Sequence, residues 1–478
     1  MTDQPTPSKN QEEPSDGHAA GTVATTRTTR KPVDLLKDPL WKALLFMALP
    51  ATIGFFFNTL YNVVDLFFAR SWNGPEGAST QDAMGATFPL FFLMLAFGTG
   101  LYQGTTSLVA NAYGKGDIDK VRTLTVQAVI YGLLVGLGIS ALGLLLLTPI
   151  LQGVQGLEGV EFRWAAGYMI AVFAGAPLIV ANFALYALLS GSGNNRAFGL
   201  SLMLSFLLNI LFNYIFMHIF GWGLVGLGIS TVLMQGPLNF LYALFEIRLL
   251  GTLRGLPRTA FRLHWPLLRQ VASQALPATL SMLLVALSLL ITNAFAGFYA
   301  SGTLGGLSAG ARIEQIMLLP IIGVGISSLA IIGQNQGAGQ IDRVKAIFWL
   351  TTKVILTMTI TASLLIFSFR EPLAALIATP GREAQVATEY LFFAGFGTVF
   401  FGLLYAGTSF KTGMRQPLFS AYANALRLIV FPLILIPIFM TLTPDFLAIP
   451  WATLAASVVV GTSTYAWVAR SVVRLSAE

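Results

Sequence analysis

Residues Val129–Leu147 read VIYGLLVGLGISALGLLLL, a run without a single charged side chain. A hydrocarbon core about 30 Å thick is crossed by about 20 helical residues, so this stretch has the length and composition of one membrane span. Its apolar residues are continuous, whereas the strands of an outer-membrane barrel alternate at every second position. Val430–Leu442 reads the same way. The whole chain agrees with its parts: of 478 residues 55% are hydrophobic and 10% charged, with a mean hydropathy of +0.72. An ordinary soluble domain carries roughly 25% charged residues, and this chain has too little polar surface to cover a water-soluble globule. A soluble multidomain enzyme is excluded.

Outward from that run, polar breaks divide the chain into helices near 40–70, 84–113, 119–150, 162–189, 196–220, 223–250, 268–300, 304–336, 343–369, 387–413, 416–441 and 447–470. The expected fold class is an all-α membrane protein with 12 transmembrane helices. Residues 1–38, rich in Pro, Thr, Ser and acids, read as a disordered tail and not as a signal peptide. Of the 28 Lys and Arg, 21 fall on the tail's side of the spans and four on the other. The positive-inside rule then puts both termini in the cytoplasm. The net charge of +7 serves orientation, and the partner it implies is anionic lipid, not nucleic acid. With no Cys, and His18, His218 and His264 scattered, neither disulfides nor a Cys- or His-built metal site is expected.

The sequence repeats itself. Ala48-Leu49-Pro50-Ala51-Thr52 returns as Ala275-Leu276-Pro277-Ala278-Thr279, and Gly114-Lys115-Gly116-Asp117-Ile118-Asp119-Lys120 is matched by Gly337-Ala338-Gly339-Gln340-Ile341-Asp342-Arg343. Two matches in the same order at nearly equal offsets mark a duplication. The domains expected are an N-terminal six-helix lobe at 39–251, a cytoplasmic linker at 252–269 and a C-terminal six-helix lobe at 270–478. Six is even, so both halves run in the same direction and are related by a pseudo-twofold axis along the membrane normal. Such bundles frame a midplane cavity, the architecture of a carrier. No Gly-x-x-x-x-Gly-Lys-Ser/Thr occurs, so an ion gradient is the simpler energy source. Gly221-Trp222-Gly223-Leu224-Val225-Gly226 matches a dinucleotide-binding pattern but lies between apolar spans and follows no strand, which makes it a tight turn.

Few polar groups lie deep in the spans. Asp65 and Glu314 are the two acids well inside, and a carboxylate at such depth is a functional residue by default. Asn58, Asn62 and Asp65 stand at i, i+4 and i+7 on the first helix with Tyr61 beside them, and Asn209 and Asn213 share a face of the fifth helix at similar depth. Together they form a candidate site for a coupling proton or cation; the alternative is that they bridge the two helices as packing glue. Glu314 is either a second coupling acid or the partner of a neighbouring cation such as Arg427. Arg312, Gln315, Asn424 and Arg427 are candidates to line a substrate cavity, and Lys353 is expected to snorkel. Prolines at 50, 177, 277, 320, 432 and 437 inside spans offer bending points.

On these residues the chain resembles the multidrug and toxic compound extrusion (MATE) family. The resemblance covers about residues 40–470 and rests on the Ala-Leu-Pro-Ala-Thr repeats, Tyr61-Asn62-Val63-Val64-Asp65 and Asn111-Ala112-Tyr113-Gly114 leading into Ile118-Asp119-Lys120-Val121-Arg122. Gly191-Ser192-Gly193-Asn194-Asn195-Arg196 and Gly333-Gln334-Asn335-Gln336-Gly337-Ala338-Gly339 also fit. The resemblance implies an efflux antiporter, multi-pass in a bacterial inner membrane, that exchanges protons or sodium for cationic amphipathic compounds. It implies two lobes in a V around the substrate, no cofactor beyond the coupling ion, and a monomer. In the DinF-like branch the acid matching Asp65 is the coupling site, supported by positions matching Asn209 and Asn213. The second of these is acidic in some relatives and neutral here, which favours protons. The NorM-like branch uses an acid in the seventh helix, and residues 279–298 contain none. A flippase for a lipid-linked saccharide is the alternative within the superfamily, kept open by Arg312, Lys353 and Arg427. An intramembrane enzyme lacks a catalytic constellation.

Overall fold

The computed structural model describes residues 33–475 apart from 73–76, 252, 254, 255, 257, 301 and 444. Helices dominate the described residues, and no strand occurs among them. Twelve helices are long and apolar enough to cross a membrane: α1 Leu40–Ser71, α2 Ala83–Gly114, α3 Ile118–Val154, α4 Gly159–Gly191, α5 Asn195–Ile219, α6 Gly223–Leu249, α7 Trp265–Ala296, α8 Thr303–Gly337, α9 Ile341–Ile377, α10 Arg382–Gly413, α11 Pro417–Leu442 and α12 Ala448–Val473. Most ends fall within a few residues of the expected spans, because Gly and Pro punctuation marks both.

The departures have local causes. α9 runs on past Arg370-Glu371-Pro372 to Ile377, with Phe369 leaving helical geometry at φ −122° and ψ 16°. Pro372 cannot donate to the carbonyl four residues back, so the helix kinks there and resumes. α7 starts at Trp265, inside the stretch read as linker, because His264 is its N-cap and Pro266 fills a first-turn position that needs no N–H. Gly221 at φ +70° turns the chain between α5 and α6, while Gly223 at φ +54° already opens α6, so the rest of the Gly221–Gly226 stretch is the first turn of that helix and not part of the turn.

The two halves repeat one pattern of neighbours. In the first, α2 packs on α4, α3 on α4, α1 on α5 and α4 on α6; in the second, α8 packs on α10, α9 on α10, α7 on α11 and α10 on α12. The halves meet through α1 and α2 against α7 and α8. The duplication seen in the sequence is therefore a duplication of packing.

One end of the helices carries Lys42, Lys115, Lys120, Arg248, Arg343 and Arg474 and is termed the basic face. There α2 and α8 cross through duplicated glycines. A Cβ on Gly114 would collide with the backbone of Gln334, and one on Gly337 with the backbone of Asn111. Gln334 Nε2 donates to the Gly191 carbonyl at 2.7 Å, and Asn195 Nδ2 donates to the Met47 carbonyl at 3.0 Å and Ser327 Oγ at 3.1 Å. The halves are thus joined at the basic face by close backbone approach and buried hydrogen bonds.

The lead-in segments cross over as well. Residues 33–38, read from the sequence as the end of the disordered tail, are held: Leu35 is 2% exposed and packs with Ala43, Met47, Ile331 and Val344. Asn335 Nδ2 donates to the Leu35 carbonyl at 3.1 Å, and Arg343 Nη2 donates to the carbonyls of Leu35 and Asp38 at 3.1 and 2.9 Å. These donors belong to α8 and α9 of the second half. The mirror arrangement precedes α7, where Gln127 of α3 donates to the Ala260 and Arg262 carbonyls at 3.0 and 2.8 Å and accepts from the His264 N–H at 3.0 Å. The rest of the expected tail lies outside the described residues.

Candidate functional site

Asp65 sits six residues before the end of α1, 2% exposed. The helix has no choice but to turn some face inward, and the face holding Tyr61 and Asp65 meets α5 and α6. Asn213 Nδ2 donates to Asp65 Oδ1 at 2.8 Å, and Thr231 Oγ1 of α6 donates to Oδ2 at 3.2 Å. Asn209 and Asn213 exchange amide hydrogen bonds at 3.2 and 2.9 Å, and Asn209 Nδ2 also reaches Ser230 Oγ at 3.3 Å. The amide ladder on α5 thus fixes one donor on the carboxylate, and α6 supplies the other. No ion pair engages Asp65 among the described residues; Arg70, five residues on, is exposed. An isolated carboxylate with two neutral donors can exchange a proton without breaking a salt bridge.

Of the residues expected here, Asp65, Asn209 and Asn213 come together directly. Tyr61 lies alongside, 2% exposed, its hydroxyl without a hydrogen-bond partner among the described residues. Asn58 is half-buried two turns toward the basic face, and the side chain of Asn62 lies outside the described residues. Sequence reasoning missed Thr231 and Ser230. Their signal was present: they are the adjacent hydroxyls within Gly223–Leu233, GLVGLGISTVL, whose other residues are apolar or Gly.

Glu314 lies in a second place. A cavity of about 180 Å³ in the second half is lined by Asn293 of α7, Glu314 of α8, Tyr390 and Phe401 of α10, and Arg427 of α11. Tyr390 Oη donates to Glu314 Oε2 at 2.6 Å. Arg427 stands over the Phe401 ring, 5.3 Å from its centroid, and no ion pair joins it to Glu314 among the described residues. Glu314 and Arg427 therefore share a cavity without closing on each other, and the direct pairing considered from the sequence is not formed. A π-turn at Leu426–Val430 carries Arg427; the extra residue in that turn re-aims the side chain, as such turns do at functional sites.

Arg312 and Gln315 are exposed and do not line this cavity, since positions i−2 and i+1 point away from Glu314 around the helix. Asn424 lines a smaller one of about 50 Å³ between the halves, with Gln103, Ser281 and Tyr405. Lys353 is exposed on α9.

Comparison with known proteins bears on the family and the fold. The chain is 24% identical over 415 residues to the FAD transporter of Shewanella oneidensis, covering 84% of this chain and 88% of the relative. It is 22% identical over 373 residues to the probable multidrug resistance protein YoeA of Bacillus subtilis, covering 77% and 80%. Among solved structures, a MATE transporter in the bent conformation superposes with a TM-score of 0.85 at 22% identity, covering 92% of this chain and 97% of that one. The MatE family model matches twice, at residues 50–215 and 277–438, once in each half of the duplication. A multi-pass membrane transporter and not an enzyme, the chain belongs to the MatE family, the family of MATE multidrug efflux transporters.

Proposed function

We propose that the protein exports cationic amphipathic compounds across a bacterial inner membrane in exchange for protons, with Asp65 as the coupling acid. The observation that carries this reading is a buried carboxylate held by Asn213 and Thr231 and, among the described residues, by no cation. A single carboxylate met by an amide N–H and a hydroxyl suits a proton better than sodium, since a hard cation needs several oxygen ligands. Among its relatives is a protein named for multidrug resistance, which supports drug-like substrates.

The cavity of Glu314 supplies the charge a cationic group would meet, with Tyr390 and Phe401 as aromatic walls. Glu314 then serves as a second acid of the cycle. The units that move are the lobes 39–251 and 270–478, joined by the 252–269 connection, with both termini in the cytoplasm and one chain per transporter. A lipid-linked saccharide flippase needs clustered cations for a pyrophosphate, and of Arg312, Lys353 and Arg427 only Arg427 lines the cavity.

The test is transport of ethidium into proteoliposomes under an imposed pH or sodium gradient, comparing Asp65→Asn and Glu314→Gln with the unaltered protein. Asp65→Asn is expected to abolish transport driven by the pH gradient while leaving ethidium binding in detergent intact. Retained gradient-driven transport in Asp65→Asn overturns the coupling assignment.

A further inference from the structure

The polar groups of the first half do not stop at Asp65. Along α6, Thr231, Gln235, Asn239, Tyr242 and Glu246 follow one another at steps of four, four, three and four residues, across a π-helical stretch at Met234–Leu238. Along α5, Ser201 and Ser205 continue the row of Asn209 and Asn213 at steps of four. Asn182 and Tyr186 of α4 stand at i and i+4 on a face that meets α6. Apart from Tyr242 and Glu246, every member is buried, from Thr231 at 0% exposure to Gln235 at 8%. A membrane protein core gains little from so many buried polar side chains unless they pair.

The rows are joined across helices. Tyr61 faces Thr231 and Gln235. Asn182 Nδ2 donates to the Gln235 carbonyl at 3.3 Å, and Ser205 Oγ donates to Asn239 Oδ1 at 2.6 Å. Tyr186 neighbours Asn182 and Ser201, and Tyr242 neighbours Glu246. Glu246, three residues before the end of α6, is partly exposed at the basic face. The groups facing Asp65 from the packed helices are Tyr61, Tyr168, Asn209, Asn213 and Thr231, and none of them is a cation. Tyr61 Oη, Asn182 Oδ1 and Tyr186 Oη have no hydrogen-bond partner among the described residues. Atoms of this kind, spaced along a buried row, are what bridging water or a moved neighbour would connect.

We infer that this file is the route by which the coupling proton leaves Asp65 toward the basic face, with Tyr186 as its midpoint and Glu246 as its mouth. The inference rests on the proton-coupled reading of Asp65. One proton leaves the Asp65 carboxyl, each hydroxyl or bridging water passes on the proton it held as it takes up the next, and one proton leaves from Glu246. Bonds formed and broken are equal in number, and only Asp65 ends with a different charge.

The experiment is ethidium transport in proteoliposomes under a pH gradient by Tyr186→Phe and Glu246→Gln, beside the unaltered protein and Asp65→Asn. Ethidium binding in detergent reports whether each variant is folded, and Tyr186→Phe keeps the ring that fills the core. Both variants are expected to slow proton-driven transport by about tenfold or more, with unchanged ethidium binding and a larger rate loss in heavy water than the unaltered protein shows. Transport at the unaltered rate in both variants, with Asp65→Asn inactive, overturns the route and leaves the coupling reading standing. Transport indifferent to the pH gradient in the unaltered protein overturns that reading and the route with it.

Discussion

Asn213 donates to Asp65 at 2.8 Å with the same amide nitrogen that donates to Asn209 at 2.9 Å. One side chain thereby ties the carboxylate of α1 to the ladder of α5, and its removal acts at two places at once.

Asn213→Leu takes the donor from Asp65 and leaves the Asn209 amide short of a partner inside the bundle. A hydrogen bond to a charged group contributes about 1.5–3 kcal/mol, and orphaning a buried amide adds about 1–3 kcal/mol. The expected outcome is a lower unfolding midpoint in a thermal stability assay together with reduced pH-driven ethidium transport. Asn213→Asp keeps the shape and puts a second carboxylate beside the first, so it is expected to admit sodium as a driving ion, read as transport under a sodium gradient alone.

Thr231→Val conserves volume and deletes only the hydroxyl on Asp65 Oδ2. Thr231→Ser restores it. Transport by the valine variant is expected to fall while the serine variant stays near the unaltered protein, a difference that packing alone does not produce. Equal rates in the two would show that the hydroxyl is idle.

Gly114→Val places a branched side chain against the backbone of Gln334, which has no flexible end to move aside. Overpacking of this kind costs about 1–3 kcal/mol, and here the cheapest relief is separation of α2 from α8 at the basic face. Spin labels at Lys115 and Gln340 are expected to report a longer distance in the variant. An unchanged distance distribution would mean the crossing tolerates a side chain.

Arg343→Ala removes the guanidinium from the carbonyls of Leu35 and Asp38. Amide hydrogen exchange across residues 34–38 is expected to speed by about tenfold for each 1.4 kcal/mol of holding energy lost, with α1 itself unaffected beyond its first turn.

The spans were legible because the bilayer imposes length and apolarity on each of them, and glycine and proline mark their ends. Asp65, Asn209 and Asn213 were legible for the same reason inverted: a polar group stands out where nearly everything else is apolar. Thr231 was not found, since hydroxyls satisfy themselves against their own helix carbonyls often enough to look neutral. The place of Arg427 depended on a π-turn, and an inserted residue per turn leaves no pattern in composition. Arg312 and Gln315, expected to line a substrate cavity, are absent from the lining of the cavity that holds Glu314, because side chains one or two residues apart leave a helix in different directions. The hold on Leu35 was invisible because its donors, Asn335 and Arg343, lie some three hundred residues along the chain.

Each half grips the strand of chain that leads into the other: Gln127 holds the approach to α7, and Asn335 with Arg343 holds the approach to α1. Such reciprocity is the geometry of exchanged arms between two protomers, here made permanent by fusion into one polypeptide. The covalent connection then serves mainly to keep the local concentration of each arm high at its clasp. Two separately made halves, cut between Arg248 and Arg258, still carry complementary clasps and can reassociate. A chain shortened to begin at Pro39 keeps every membrane-crossing helix and loses one clasp entirely.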